Sequence, residues 1–176
     1  MNTEGFASSI NHFFNNYYSL FPDLECHYGS LGRFFQSNFI EGVYTINPPF
    51  YILTFNYIAN KILDELENTT KKLLFLIWFP ILDIDGAKYV KENCEHYSVR
   101  PIKMVLDNDK TKKIQEIKKS KYNITTKIFC NNDISYYDYN TNVSAYITYT
   151  YLFVLCKNID YEYVLKIINN TKYVHK

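Results

Sequence analysis

The spacing of apolar and polar residues along the chain predicts alternating strands and helices. Residues 42–46 (GVYTI) predict a strand, and residues 50–67 predict a helix with apolar side chains on one face. The run LLFLIWFPIL, residues 73–82, is short and apolar throughout, which is typical of a strand buried on both faces. Residues 85–95 predict a short helix, and residues 161–170 predict a closing helix.

The remaining apolar positions form weaker patterns. Residues 9–20 place apolar side chains at helical spacing and predict a first helix, which a turn-rich stretch follows. Residues 98–105 fit a strand. Residues 124–130 and 146–156 are strongly β-prone, and we expect these two strands to pair near the end of the chain.

Alternating strands and helices predict an α/β fold with a mainly parallel sheet. In an open sheet of this kind, ligands bind beyond the carboxyl ends of the strands. Two stretches fit neither pattern. We expect residues 107–123 to be the least structured part of the chain, followed by the polar stretch 131–142.

Composition narrows the class of protein. The chain has 176 residues, which suits a single domain spanning 1–176, and 47% of them are apolar, too many for a disordered chain. No uninterrupted apolar run reaches the roughly 18 residues of a membrane span, so we expect no membrane association. The first residues lack the features of a signal peptide. We therefore expect an intracellular protein, in the nucleus or the cytoplasm.

Cysteine and histidine spacing indicates no metal site. The four cysteines are spread singly, which favours free thiols over disulfides or a structural metal; they are Cys26, Cys94, Cys130 and Cys156. The four histidines show no ligand spacing either.

The tetrapeptide Asn47-Pro48-Pro49-Phe50 lies between a predicted strand and a predicted helix. Proline has no N–H, has a fixed φ, and restricts the residue before it. The two prolines therefore stop the strand and hold the Asn47 side-chain oxygen and the Pro48 carbonyl as two rigid acceptors beside the ring of Phe50. The alternative is that the prolines only cap a strand.

Such acceptors suit the methylation of an exocyclic amine on a nucleobase. The amine is a poor nucleophile because its lone pair is delocalised into the ring. Two acceptors that hold its N–H groups favour a tetrahedral nitrogen and so act mainly on the transition state. An aromatic ring fixes the base by stacking. S-adenosylmethionine would be the methyl donor.

Three segments in register resemble one known family. They are EGFASSIN (residues 4–11), YYSLFPDLECHYGSLGRFF (residues 17–35) and INPPF (residues 46–50). This series resembles the catalytic domain of the phosphorylated-CTD-interacting-factor family, the cap-specific adenosine N6-methyltransferases. The family shows E-x-F-A-S-P-L-N, then S-x-F-P-D-x-D-x-x-F-G-S-x-G, then N-P-P-F. Order and spacing agree from residue 4 to residue 82.

The resemblance implies a Rossmann-like class I methyltransferase sheet, mainly parallel, with an antiparallel strand near the C-terminus. It implies methyl transfer from S-adenosylmethionine to N6 of a 2′-O-methyladenosine next to an m7G cap, and therefore capped RNA as a partner. Only three residues precede Glu4. We therefore expect an N-terminally short fold without the family's cap-binding helical region. Its central first strand would be missing or a stub, and a second chain would be a candidate partner that completes the domain.

The resemblance also implies roles for individual residues. Asn47, Pro48, Pro49 and Phe50 would be the catalytic set that holds the adenine. Ser9 stands where the family has proline, which loosens the first cofactor loop. Carried over by position, the cofactor-binding residues would be Glu4, Phe6, Ala7, Ser8, Asn11, Asp23, Gly29 and Ser30.

A lysine-rich segment suggests contacts with RNA phosphates. Residues 110–127 contain seven lysines and one acid, Glu116. The candidate nucleic-acid-binding residues are Lys110, Lys112, Lys113, Lys118, Lys119 and Lys121. The alternative is a solvated surface loop. Tyr136, Tyr137 and Tyr139 are candidates for stacking on bases.

Other functions stay open at this point. The chain would serve as a catalytically inactive, methyltransferase-like module that binds RNA or protein, or as a fragment that needs a partner chain. A third possibility is an adenine-N6 DNA methyltransferase, because the tetrapeptide is shared among enzymes that methylate amino groups of nucleic acids.

Overall fold

One mixed sheet with helices on both faces forms the body of the protein. A computed structural model describes residues 2–94, 106–130, 135–138, 143–146 and 149–170. The strands in these residues are β1 (Asn2–Ala7), β2 (Asn16–Ser19), β3 (Gly42–Ile46), β4 (Leu73–Pro80), β5 (Asn123–Phe129), β6 (Ser135–Asp138), β7 (Val143–Tyr146) and β8 (Thr150–Lys157). The helices are α1 (Pro22–Glu25), α2 (Ile52–Asn68), α3 (Ile84–Asn93), α4 (Asn108–Lys119) and α5 (Tyr161–Asn170). None of these helices has the length and apolar character needed to cross a bilayer.

Six strands form the sheet, in the order β2-β1-β3-β4-β8-β5. Strands β2, β1, β3 and β4 run parallel to one another, whereas β8 runs antiparallel to both β4 and β5. Strands β6 and β7 form a separate antiparallel pair. The carboxyl ends of β1, β2, β3, β4 and β5 therefore meet at one edge of the sheet, which we call the carboxyl edge.

Strand β4 is buried along its whole length and separates two hydrophobic clusters. Because successive side chains of a strand point to opposite faces, Phe75 and Ile77 enter one cluster while Leu74 and Leu76 enter the other. Helices α2, α3 and α4 contribute to the first cluster, and α5 contributes to the second. Burying each large apolar side chain contributes about 2 kcal/mol, so β4 is the centre of the core.

Most of the predicted elements are confirmed. The strands at 42–46 and 73–82 and the helices at 50–67, 85–95 and 161–170 are present, with bounds shifted by at most two residues. The two late strands also pair as expected, with β5 antiparallel to β8.

The predicted helix at residues 9–20 is wrong. Residues 16–19 instead form strand β2, which pairs in parallel with β1. Asparagine favours turns over helix interiors, and Asn11 accepts hydrogen bonds from the backbone N–H and the hydroxyl of Ser8 in a local turn. Tyrosine favours strands, and Tyr17 is fully buried there.

The expectation of a missing or stub-like first strand is also wrong. Residues 2–7 form a six-residue strand, β1, that lies between β2 and β3 and pairs with both. Asn2, Thr3 and Glu4 all take part in the pairing with β3.

The expectation of little structure at residues 107–123 is wrong as well, since helix α4 fills most of this segment. Between the lysines, three side chains at three-residue spacing are buried: Thr111, Ile114 and Ile117. The Asp107 side chain caps the helix by accepting from the Lys110 backbone N–H at 2.9 Å. The strand predicted at 98–105 lies outside the described residues.

Two of the cysteines are not free thiols. A disulfide joins Cys94, at the end of α3, to Cys130, which follows β5. Cys26 is exposed and Cys156 is buried, both as free thiols. The two bonded residues are 36 positions apart in sequence, and no motif in that interval marks them as a pair.

A buried ion pair fixes α4 and β8 to the end of β4. The Asp83 carboxylate, 1% exposed, accepts from Lys118 Nζ at 2.9 Å and from the Tyr151 hydroxyl at 2.7 Å. Gln115 donates to the same carboxylate at 3.1 Å. Burial, with the adjacent Asp83 carboxylate, raises the pKa of Tyr151, so the hydroxyl keeps its proton and remains a donor.

Lys118→Met should lower the free energy of unfolding by about 3 kcal/mol, because it leaves the Asp83 carboxylate buried without its cation. Lys119→Met is the matched control, since Lys119 is exposed on the same helix, and should change that energy by no more than about 0.5 kcal/mol. Urea unfolding followed by circular dichroism measures both. Equal effects of the two substitutions would contradict a stabilising role for the ion pair.

Candidate active site

The carboxyl edge brings together the two main segments that the sequence singled out. Strands β1 and β3 are neighbours, with Glu4 opposite Thr45. The chain leaves β1 at Ser8 and leaves β3 at Asn47. These two segments therefore emerge side by side at the edge where open α/β sheets bind ligands.

The Asn47–Phe50 segment ends β3 and leads into α2. Asn47 is half-buried and Pro48 is buried, whereas Pro49 is exposed and Phe50 is 48% exposed. The Pro49 carbonyl accepts from the Tyr51 backbone N–H at 2.7 Å, which closes a tight turn just before α2 begins. The segment is thus held from both sides while the Phe50 ring faces solvent.

Glu4 holds the connection between β1 and β2. Its Oε1 accepts from the backbone N–H of Phe14 at 2.6 Å and also from that of Phe13. A single carboxylate therefore satisfies two consecutive amides of the loop. Because charge-assisted hydrogen bonds are stronger than neutral ones, Glu4 is an anchor of this loop.

The first part of the same loop is closed by its own hydrogen bonds. Asn11 Oδ1 accepts from the Ser8 backbone N–H at 2.7 Å and from the Ser8 hydroxyl at 2.8 Å. The Ser8 carbonyl in turn accepts from the backbone N–H groups of Asn11 and His12, each at 3.1 Å. Ser9 donates its N–H to Glu25 at 3.2 Å. Ser8 and Asn11 therefore contact each other, and their role beside a cofactor stays a prediction.

Ser19 is a candidate ligand contact that the sequence reasoning missed. It ends β2 and lies opposite Ala7 at the end of β1. Its hydroxyl oxygen is buried and has no hydrogen-bond partner within the described part of the chain. A buried polar atom without a partner costs about 1–3 kcal/mol, so this position favours a ligand. Only its place at a strand end pointed to it.

Phe6 packs into the aromatic core near the edge. Its ring lies 4.9 Å from the ring of Phe34 and 5.9 Å from that of Phe35, measured between centroids. Phe6 therefore helps to fix the end of β1, where its neighbour Ala7 is half-buried.

The second predicted cofactor segment is only partly at the carboxyl edge. Asp23 is exposed on α1, which begins three residues after β2 ends. Gly29, with φ of 97°, turns the chain so that Ser30 forms a parallel bridge with Tyr17. Gly29 and Ser30 therefore lie before the level of Ser19, toward the amino end of β2.

The lysines of the basic segment face different surroundings. Lys118 is paired with buried Asp83, and Lys121 is paired with Glu67 at 3.0 Å. Lys110 is paired with Asp107 at 3.3 Å, and Lys113 with Glu116. Lys112 and Lys119 are exposed. Tyr136 and Tyr137 lie on β6, whereas Tyr139 is outside the described residues.

Comparisons with known proteins add independent information. The family model described as "Phosphorylated CTD interacting factor 1 WW domain" matches residues 1–105. Two relatives, from Mus musculus and Homo sapiens, are named "mRNA (2'-O-methyladenosine-N(6)-)-methyltransferase" and are each 31% identical to this chain over 77 residues. That match covers 44% of this chain and only 11% of each relative.

The matched region runs from β1 through α3 and includes both segments at the carboxyl edge. The family expected from the motif series is confirmed, whereas the correspondence to its catalytic domain stays a prediction, because the family model carries a WW-domain description. Since the match spans 105 of the 176 residues, the chain belongs to the phosphorylated-CTD-interacting-factor family.

Proposed function

We propose that this chain transfers a methyl group from S-adenosylmethionine to N6 of an adenosine in RNA, with the cap-adjacent 2′-O-methyladenosine as acceptor. The observation that carries the proposal is the position of Asn47–Phe50 at the carboxyl end of β3, directly beside the end of β1. The names of the two relatives support the same chemistry.

The sheet supports a Rossmann-like methyltransferase fold. Four consecutive neighbours in the sheet, β2, β1, β3 and β4, run parallel, and the antiparallel strand β8 lies between β4 and β5. An antiparallel strand near the C-terminus is what the family resemblance implies.

The tetrapeptide provides acceptors for the adenine amino group. As the resemblance implies, the Asn47 side-chain oxygen and the Pro48 carbonyl are the proposed acceptors, whereas the Pro49 carbonyl accepts from the Tyr51 N–H. Holding both N–H bonds weakens the conjugation of the nitrogen lone pair with the ring. The exposed Phe50 ring stacks on the base. The amine nitrogen would form its new bond to the methyl carbon as the S–CH3 bond of the donor breaks, with that bonding pair left on sulfur, and would then release one proton to water.

The residues at the ends of β1 and β2 fit a methyl donor. S-adenosylmethionine, when bound, supplies the electrophilic methyl group. Ala7 and Ser8 are small, and the unpartnered Ser19 hydroxyl beside Ala7 suits a polar group of a ligand. Glu4 and Asn11 hold the loop that would cover it.

A second candidate is a methyltransferase-like module that binds RNA or protein without the cofactor. One observation favours it: the N–H groups of Phe13 and Phe14 already donate to Glu4, and those of Asn11 and His12 donate to the Ser8 carbonyl. These four amides are therefore engaged by the protein itself. Calorimetric titration with S-adenosylmethionine separates the two candidates.

Asn47→Ala should lower the turnover number for methyl transfer at least about 100-fold, because one acceptor of the transition state is lost. Transfer of radiolabelled methyl to capped RNA beginning with 2′-O-methyladenosine measures this, with a DNA oligonucleotide as the competing acceptor. The substituted chain should still fold, with the circular dichroism spectrum of the unsubstituted protein.

Asn68→Ala, at the exposed end of α2, is the control for loss of an asparagine. It should keep full turnover. Unchanged turnover in Asn47→Ala would overturn the proposed role of the tetrapeptide. Faster methyl transfer to the DNA oligonucleotide than to capped RNA would overturn RNA as the acceptor.

Ser19→Ala should weaken S-adenosylmethionine binding about fivefold to tenfold, the effect of one hydrogen bond, without lowering stability, since its hydroxyl has no partner among the described residues. Ser37→Ala should lower stability and leave the affinity for S-adenosylmethionine unchanged, because the Ser37 hydroxyl donates to the Phe34 carbonyl at 2.6 Å. Calorimetry and thermal unfolding measure the two quantities. A loss of stability with unchanged affinity in Ser19→Ala would remove Ser19 from the site.

A further inference from the structure

Helices α2 and α4 both begin at the carboxyl edge and form a groove. Helix α2 follows the carboxyl end of β3, and α4 precedes the amino end of β5, so the two helices run in the same direction away from that edge. The Leu106 N–H, just before α4, donates to the Leu82 carbonyl, just after β4, at 2.8 Å. This bond holds the start of α4 at the edge where Asn47–Phe50 lies.

The groove holds a cavity of about 440 Å³. Its walls offer polar and aromatic groups from α2 and cationic groups from α4, among them Leu53, Asn56, Tyr57, Asn60, Lys112 and Lys113. Leu53 begins this wall three residues after Phe50, so the groove continues directly from the tetrapeptide.

Asn56 presents an acceptor that lacks a donor. Its Oδ1 atom is buried and has no hydrogen-bond partner within the part of the chain that the structure describes. The same residue lines the groove. A buried acceptor without a partner is costly, so a ligand with an N–H group is the natural complement.

Leu53 and Tyr57 give the groove an apolar and aromatic side. They are 69% and 67% exposed, and their four-residue spacing places them on one face of α2. Tyr57 also contacts Phe35 edge to face, with ring centroids 6.4 Å apart. An exposed ring held by a neighbouring ring is suited to stacking on a nucleobase.

The charge of the groove is modestly positive. Lys110, Lys112 and Lys113 line it together with Asp109 and Glu116, which leaves a net charge of +1. Glu116 is paired with Lys113. Lys112 is exposed and has no ion-pair partner among the described residues. It is the lysine best placed to contact a phosphate.

We propose that the groove between α2 and α4 binds the single-stranded RNA that flanks the target adenosine. One base stacks on Tyr57, a base N–H donates to Asn56 Oδ1, and Lys112 contacts a phosphate. The inference rests on the proposed function for the identity of the RNA. Binding itself is measured without chemistry, so the two fail separately.

The test is fluorescence anisotropy with a labelled single-stranded RNA of twelve nucleotides (about the length that such a site and its flanks occupy). A second RNA has uridine in place of every adenosine. Tyr57→Ala should weaken binding of both RNAs about tenfold. Lys112→Ala should weaken it several-fold and reduce the slope of log affinity against log salt by about 0.7. Asn56→Leu should also weaken binding.

Matched controls lie outside the groove. Tyr163, which is 56% exposed, and the exposed Lys166 both lie on α5, across the sheet. Tyr163→Ala and Lys166→Ala should change affinity less than twofold. If the controls weaken binding as much as the groove variants, or if wild-type protein binds neither RNA, the inference is overturned.

The outcome is independent of catalysis. Weakened binding in the groove variants, with no methyl transfer by wild-type protein, would support the groove and refute the proposed enzyme. If methyl transfer needs Asn47 but none of the three groove substitutions affects RNA binding, the result would support the proposed enzyme and refute the groove.

Discussion

The burial of β4 on both faces is the constraint on which the rest of the structure depends. A strand without a polar face has to be covered on each side, and α2, α3 and α4 supply one cover while α5 supplies the other. Its partners are equally fixed, with parallel β3 on one edge and antiparallel β8 on the other. The Asp83 carboxylate then ties α4 and β8 to the end of β4. The carboxyl edge is thus built on the most buried part of the chain.

The position of the candidate site follows from this frame. Pro48 and Pro49 end β3 at the edge, and the turn at Tyr51 starts α2 immediately afterwards. The same edge anchors the start of α4 through Leu106 and Leu82. A rigid strand end and the mouth of a groove therefore lie next to one another because two helices share one starting edge. The proposed RNA path needs both the end of β3 and the groove between α2 and α4.

The sequence predicted those elements whose hydrophobic pattern has one physical reading. The run at 73–82 fits a strand buried on both faces and little else, and α2 has its apolar stripe undisturbed. Residues 9–20 have the apolar spacing of a helix, yet their asparagines favour turns and their tyrosines favour strands. The spacing alone therefore gave a wrong prediction. In α4 the lysines hid Ile114 and Ile117.

Some features of the candidate site could likewise be predicted from the sequence, and others could not. The Asn47–Phe50 tetrapeptide was recognisable because prolines act through their own covalent geometry. The contributions of Ser19, Asp83 and Asn56 depend on what surrounds each atom, and their neighbours are distant in sequence. No local pattern distinguishes a partnered side chain from an unpartnered one. Which of the lysines form ion pairs was hidden for the same reason.

The two halves of the candidate site differ in how complete they are without a ligand. On the proposed adenine side, the groove presents the unpartnered Asn56 Oδ1 and the exposed ring of Tyr57, and the Phe50 ring is exposed as well. On the methyl-donor side, four loop amides already have acceptors within the protein, and Glu4 supplies two of those hydrogen bonds. A ligand that needs loop amides has to displace the Glu4 carboxylate or use other donors. Under the proposed function, RNA binding and methyl-donor binding would therefore be separable, and the loop held by Glu4 would decide between an enzyme and a binding module.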